Sequence, residues 1–397
     1  MKRSKLLILS SAVFALSLSS CGQKRLVIDN TIKETPIDES LYNSTINSLV
    51  TVDHEGRKIN ERNVADSSKH VGIFYHCWHG THALPDIYNI RELMETAPDL
   101  LWSYRSSDAC PNSKMYYWEE PLYGYYASDD PWVLERHMEL LTMMSVDYLA
   151  FDLTNLYLYE SYITACLDKI LELQAQGWNP PKFLPYFGTQ AACNPNVLKY
   201  YNLFCKDNNK YLNAFYSPNG KPVIAADVAG NGGTSVLDYL TSNDAGEAID
   251  FFEIRNCPFP YDILKRLQTN NDMPWMDWIY PQRESEMGYM SVTTSQHPSY
   301  AFSYSVNPDQ VDTMYNENHG RGWDYDLEMN IKEDVMKGTC FQAQWDTALD
   351  SETCTDVMVT GFNEWTAYKS VNTYQGDKYP NIVKFVDLCD LEFSRDI

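Results

Sequence analysis

Basic residues are scarce in this chain of 397 residues: 31 Lys and Arg stand against 54 Asp and Glu, a formal charge of −23 at neutral pH. So acidic a surface argues against nucleic acid and anionic membrane surfaces as partners. The ten cysteines include no CxxC pair and no regular spacing. Neither a metal cage nor a disulfide framework is indicated, and the nine beyond Cys21 read as small core residues. Neither GxGxxG nor GxxxxGK[ST] occurs, so no dinucleotide or nucleoside triphosphate signature is present, and no cofactor or metal is expected. Long apolar runs are missing as well, apart from residues 6–18, which are too few to span a bilayer comfortably.

That run follows Lys2, Arg3 and Lys5, the layout of a cleaved export signal. Leu18-Ser19-Ser20-Cys21 matches a bacterial lipoprotein cleavage box, which makes residues 1–20 the signal and Cys21 the lipid-bearing first residue of the mature protein. Cleavage leaves 28 basic against 54 acidic residues, a charge near −26. Residues 21–68 are polar and read as a tether, with a hairpin at 50–59 around Asp53-His54-Glu55-Gly56 that docks on the body. The expected address is the cell envelope of a Gram-negative bacterium, anchored by lipid to the outer membrane. Residues 22–25 carry no acidic tract, so the face stays open. Membrane contact is expected through the anchor alone.

From residue 69 onward, short apolar runs recur at 71–75, 147–151, 183–187, 223–226, 249–254, 275–280, 289–294 and 357–360. Helical patterns separate most of them. Asp130-Pro131 opens one helix as N-cap and first helical residue, and Leu134, Met138 and Leu141 give it a core stripe. Ile163, Leu167 and Ile170 mark a second, and 197–204 a third. Eight buried strands alternating with helices predict an α/β fold, a (β/α)8 barrel over 69–397 with long loops on the face where the strands end. The stretch after the first strand holds some fifty residues crowded with Tyr, Trp, Asp and Pro, a length that points to function.

The barrel gathers the chain's strand-end polar residues. VMVTGFNEWTAYK at 357–369 places Asn363, Glu364 and Trp365 just past a strand and a turn at Gly361. An amide, a carboxylate and an indole suit sugar chemistry: the first binds a hydroxyl, the second moves a proton or attacks, the third covers a ring face. His76, Asp152, Asp227, Gln282 and His297 also end or follow strands, and all converge on one face if the barrel forms.

Five stretches carry a resemblance: VGIFY at 71–75, WEEPLYGYY at 118–126, DDPW at 129–132, FDLTN at 151–155 and GFNEW at 361–365. Over residues 70–397 the chain resembles a group of bacterial exported glycosyl-hydrolase-like barrels, distant relatives of the endo-α-mannosidases and of the fungal α-1,3-glucanases called mutanases. The resemblance implies a retaining or related hydrolysis of glycosidic bonds on the barrel's C-terminal face. In the endo-α-mannosidases the matching stretch has a second Glu three residues after the first, and the pair supplies base and acid. Here Glu364 is followed by Ala367. Members of the group also continue past the point where this chain stops at Ile397; 385–390 reads as the start of the last outer helix, so the barrel is expected to be cut short.

A glycosidase needs two carboxyls, one protonated and one ionised. Glu364 is the first candidate, with Glu120 and Asp152 as candidate partners, since the loop after strand one adjoins strand eight. Asp227 and Glu253 are expected to bind sugar hydroxyls, together with His76, His79, Trp118, Tyr126, Asn155, Asp277, Gln282, His297, Arg321, Asn363 and Trp365. Two alternatives remain: a catalytically silent carbohydrate-binding barrel, for which Ala367 speaks, and a metal-dependent hydrolase using His76, His79, His82 and Asp152. In the main reading the partner is an oligo- or polysaccharide.

Overall fold

The computed structural model describes residues 68–80, 88–118, 120–188, 190–207, 209–230, 233–258, 271–297, 318–374, 379–386 and 389–395. The expected signal, Cys21, the tether and its hairpin lie outside these residues, as do Glu119 and His82.

The first half of the chain runs β1 (His70–Tyr75), β2 (Tyr88–Asn89), α1 (Ile90–Thr96), α2 (Pro98–Trp102), β3 (Met115–Tyr117), α3 (Pro131–Met143), β4 (Tyr148–Asp152), α4 (Glu160–Ala175), β5 (Lys182–Tyr186) and α5 (Asn194–Tyr200). It continues through β6 (Val223–Ala226), α6 (Val236–Ser242), α7 (Gly246–Phe251), β7 (Glu253–Asn256), β8 (Tyr289–Thr293), β9 (Trp323–Asp324), β10 (Met329–Asn330), α8 (Thr339–Asp350), β11 (Asp356–Thr360), β12 (Ala367–Tyr374) and β13 (Tyr379–Val386). Asp130 caps α3 as its sequence suggests, its carboxylate accepting from the backbone N–H groups of Trp132 and Val133.

Seven parallel strands form the main sheet in the order β7-β6-β5-β4-β1-β11-β8. On a flat sheet β7 and β11 would stand roughly 24 Å apart, five steps of about 4.8 Å. Yet Arg255 on β7 and Asp356 on β11 form an ion pair of 2.8 Å. The sheet is therefore rolled, and its inward residues meet across the middle. Phe74, Tyr148, Ala150, Leu184, Tyr186 and Met358 belong to this inner cluster. Their neighbours of opposite parity, such as Ile73, Leu149, Phe183 and Val359, join the helices in the outer core.

Two expected strands are corrected. The run at 249–254 divides: Ile249 sits in α7, and the strand begins only at Glu253. A short apolar run carries no period of its own, and the Gly246-Glu247-Ala248 start won it for a helix. Residues 275–280 form bends, because the Asp277 carboxylate accepts from the N–H of Ile279 and of Arg283 and draws the chain into turns. The sixth strand's place falls to 271–274, which bridges β7 through Asn256 and Asp272 and receives the Tyr289 hydroxyl of β8 at the Pro274 carbonyl, 2.6 Å away.

The long stretch after β1 is likewise no plain loop. Its β2 and β3 join β12 and β13 in a second sheet, ordered β13-β12-β3-β2, over a cluster of Ile90, Leu101, Tyr116 and Phe385. Phe385 thus closes a strand where an outer helix was expected, since β12 offers a free edge to pair with. The nine described cysteines are all free and buried, as their apolar contexts suggest.

At Gly72 the inner packing leaves no room for a side chain. A Cβ there would lie 2.1 Å from the ring of Tyr148, whose hydroxyl is held by Asp356 at 2.7 Å. Gly72→Ala should cost about 1–3 kcal/mol by overpacking, read as a lower urea midpoint with unchanged m-value. An unchanged midpoint would show that the ring gives way freely.

Candidate active site

Register and parity assemble the site. Tyr75 pairs with Phe151, so His76 and Asp152 leave β1 and β4 side by side, both on the inward parity. From the next strand over, β11, Gly361 turns the chain at φ +97° and delivers Asn363 and Glu364. The Asn363 amide clasps the backbone of His76, its Oδ1 accepting from the His76 N–H at 2.9 Å and its Nδ2 donating to the His76 carbonyl at 2.8 Å. This clasp fixes the imidazole next to Glu364.

His76 Nε2 lies 3.1 Å from Glu364 Oε1 and 3.9 Å from Asp152 Oδ2. One ring nitrogen thus faces two carboxylates, which cannot stand farther apart than the carboxyl pairs of glycosidases, roughly 5–9.5 Å. All three side chains are buried. Burial opposes charge on the ring, but the Glu364 carboxylate and its hydrogen bond, with Asp152 behind, outweigh it, and the pKa of His76 rises above its ordinary value although Arg395 opposes. Asp152 is itself oriented: the indole N–H of Trp78 donates to Oδ2 at 3.0 Å, and Thr154 donates to Oδ1 from its N–H and its hydroxyl.

Arg395 has no counterpart in the sequence reading. Its guanidinium donates to Glu364 Oε1 at 2.8 Å and lies over the Trp275 ring, 4.8 Å from the centroid. No local pattern marks it: it follows β13 in a stretch without regular structure. The one trace is Gly361, where a Cβ would meet the Arg395 carbonyl at 1.9 Å.

Other expected residues find different places. His79 stacks on Trp365 at 4.4 Å and bonds the Asn363 carbonyl through Nε2. Together with Tyr126 they form a buried aromatic layer, so Trp365 does not offer an open ring face. Trp118 packs with the second sheet's cluster. Asp277 is paired with Arg283 at 2.7 Å, and Asp227 accepts from the Gly230 N–H within its own turn. Glu253 starts β7 and pairs with Arg255, at the end of the sheet opposite to Glu364, because a first strand residue faces the other way along the barrel from a last one. Arg321 donates to the Ser394 carbonyl and lines a groove outside the sheet. Glu120 and Asn155 are exposed. Gln282 and His297 are buried, and His297 lies 5.2 Å from Trp278. The described residues hold no group of three His, Cys, Asp or Glu arranged for a metal.

No family model matches the chain, and no curated protein matches it. Among solved structures it is similar to a GH99 endo-alpha-mannosidase from Bacteroides thetaiotaomicron, in complex with BIS-TRIS-propane, at 12% identity and TM-score 0.41 over 76% of this chain and 85% of that one. A second structure of a GH99 endo-alpha-mannosidase from that organism gives 14% and 0.40 over 76% and 86%. A glycoside hydrolase-like protein gives 12% and 0.37 over 75% and 84%. The neighbours are thus glycoside-hydrolase-like proteins at a distance, and likeness of this degree bears on neither reaction nor substrate.

Histidines around the site set its pH response. Burial lowers the pKa of His79 to about 3 and that of His137, bonded to the Tyr75 hydroxyl, to about 4. Folded, both stay neutral while the unfolded chain takes up protons below about pH 6.5. Their folded pKa values are depressed, so stability present above that pH is lost as pH falls toward 4; His76, with its raised pKa, acts in the opposite sense, its contribution fading as pH rises. Between pH 7 and pH 5, each neutral histidine should cost about 2 kcal/mol. Urea midpoints of wild type and His137→Gln at the two pH values test this: the variant should lose less on acidification, and equal losses would show that His137 takes up its proton in the fold.

Proposed function

We propose that this chain is a glycoside hydrolase acting on an oligo- or polysaccharide, with Glu364 as base or nucleophile and Asp152 as the partner carboxyl. One observation carries the reading: two buried carboxylates from β11 and β4 face a single imidazole at the strand ends. Such a pair can divide the roles of acid and base. His76 conducts or stabilises the proton between them, and its Nδ1 is buried with no hydrogen-bond partner among the described residues, as is the amide of Gln282. Buried polar atoms of this kind are suited to hydroxyl groups of a ligand. Asp152 replaces the exposed Glu120 as preferred partner because it already touches the cluster. The anchor at Cys21 and an outer-membrane address belong to the same proposal, resting on the lipoprotein box at 18–21.

The Glu364–Arg395 ion pair favours a second reading, a barrel that binds carbohydrate without cleaving it. A carboxylate neutralised by a guanidinium at 2.8 Å is a weakened base, and Ala367 supplies no acid.

Product release from a panel of plant, fungal and host glycans separates the two. Hydrolysis should appear with wild type and fall by about 10²- to 10⁴-fold in Glu364→Gln, the range of general acid–base groups. Asp152→Asn should harm glycosides with poor leaving groups more than aryl glycosides. Binding without product release would establish the second reading, and full activity in Glu364→Gln would remove the first.

A further inference from the structure

Between α8 and the turn after β9 lies a cavity of about 540 Å³ whose lining includes Tyr280, Trp323, Asp324, Asp326, Gln342 and Asp346. Its volume falls within the roughly 300–1,000 Å³ of small-molecule pockets. His76, Asp152 and Glu364 are not among its lining residues, so it is separate from the strand-end cluster.

One wall is aromatic and fixed. Tyr280 lies on Tyr325, with ring centroids 3.5 Å and planes 16° apart. The Tyr325 hydroxyl donates to Gln296 Oε1 at 3.1 Å and accepts from Gln344 Nε2 at 3.3 Å, which holds the pair in place. Trp323 is 7% exposed and packs on the His319 ring at 4.1 Å. Its indole nitrogen is buried and has no hydrogen-bond partner among the described residues. A buried donor left unmade is destabilising and rare, and it calls for an acceptor.

The rest of the lining is rich in acceptors. Asp324 Oδ1 accepts from the N–H groups of Asp326 and Leu327, both at 2.9 Å, so the turn sets its carboxylate. Gln342 Nε2 donates to Asp346 Oδ1 at 2.7 Å along α8. Asp326, Gln342 and Asp346 are exposed and open to a ligand from solvent.

These groups discriminate between ligand chemistries. The carboxylates of Asp324, Asp326 and Asp346 repel an anion. A cation would suit them but would leave the indole N–H without an acceptor, and Lys337 already brings an ammonium group to the lining. A neutral polyhydroxylated ring meets every demand: an oxygen for the indole N–H, hydroxyl donors for the carboxylates, and an apolar C–H face for the tyrosine wall. We propose that this cavity is a second carbohydrate-binding site, one that takes a neutral sugar unit and does not depend on hydrolysis at Glu364.

Binding of the full chain to a printed array of plant, fungal and host glycans tests the site. Trp323→Phe removes the N–H but keeps a ring on His319, Tyr280→Ala removes part of the wall, and Asp326→Ala removes an acceptor at an exposed position. Each should weaken binding of the same glycans about tenfold, the worth of one hydrogen bond or ring contact. Asp326→Ala should keep the wild-type urea midpoint, and Glu364→Gln should leave these glycans bound. The losses should be equal at about 50 and 500 mM salt. If no glycan bound by wild type is weakened in all three variants, the proposal is overturned. Equal weakening in Glu364→Gln would overturn it too, by moving the binding to the strand-end cluster, and a loss confined to low salt would mark a cation site instead. Hydrolysis without such binding sinks this inference alone, whereas such binding without hydrolysis sinks only the hydrolase reading.

Discussion

A carboxylate at 1% exposure, Glu364, is the constraint around which the upper end of the molecule is built. Removing such a group from water costs several kcal/mol unless donors replace the lost solvent. The chain supplies two such donors from distant places, with a ring beneath one of them. His76 arrives from the end of the first strand, Arg395 from the last described turn, and Trp275 supports the guanidinium from the segment that follows the Asn256–Asp272 bridge. The requirement reaches the backbone as well: Arg395 comes so close that position 361 admits no side chain beyond hydrogen.

The rolled sheet separates two charge layers by an apolar one. At the strand starts, Asp356 joins Arg255 and the Tyr148 hydroxyl. At the strand ends, Glu364 and Asp152 meet His76. Phe74, Tyr186 and Met358 lie in the cluster between them. Two-residue periodicity produces this layering, since every second residue of a strand points inwards. In the lower layer the two opposite charges, Arg255 and Asp356, are paired with each other at 2.8 Å. The upper one retains an imidazole nitrogen and a glutamine amide that have no hydrogen-bond partner among the described residues, which is why chemistry is assigned to that end.

Three histidines show how little residue type decides. His76 is kept protonatable by two carboxylates, whereas burial among rings keeps His79 and His137 neutral, helped at His79 by the nearby imidazoles of His76 and His137. In the sequence His76 and His79 stand three apart in one aromatic stretch and look equivalent as ligands or sugar binders. Their difference arises from what the last strand brings alongside each: a carboxylate at one, a carbonyl and the Trp365 ring at the other.

Local pattern by itself determined the strands at 71–75, 147–151, 183–187, 223–226, 289–294 and 357–360, the Asp130 cap, the buried cysteines and the placing of His76, Asp152 and Glu364 at strand ends, because apolar runs, capping residues and parity are properties of neighbours in sequence. Only the tertiary structure decided that 249–254 divides between helix and strand, that turns replace a strand at 275–280, and that 385–386 pairs as an edge instead of opening a helix. It also decided the roles: Asn363 clasps a backbone, Trp365 is packed away, Glu120 faces solvent and Arg395 holds Glu364. The physical reason is the same in each case. Apolar runs state that a segment is buried but not against what, and the partner of a buried charge is chosen by distance in space, for which a separation of 31 residues between Glu364 and Arg395 leaves no local trace.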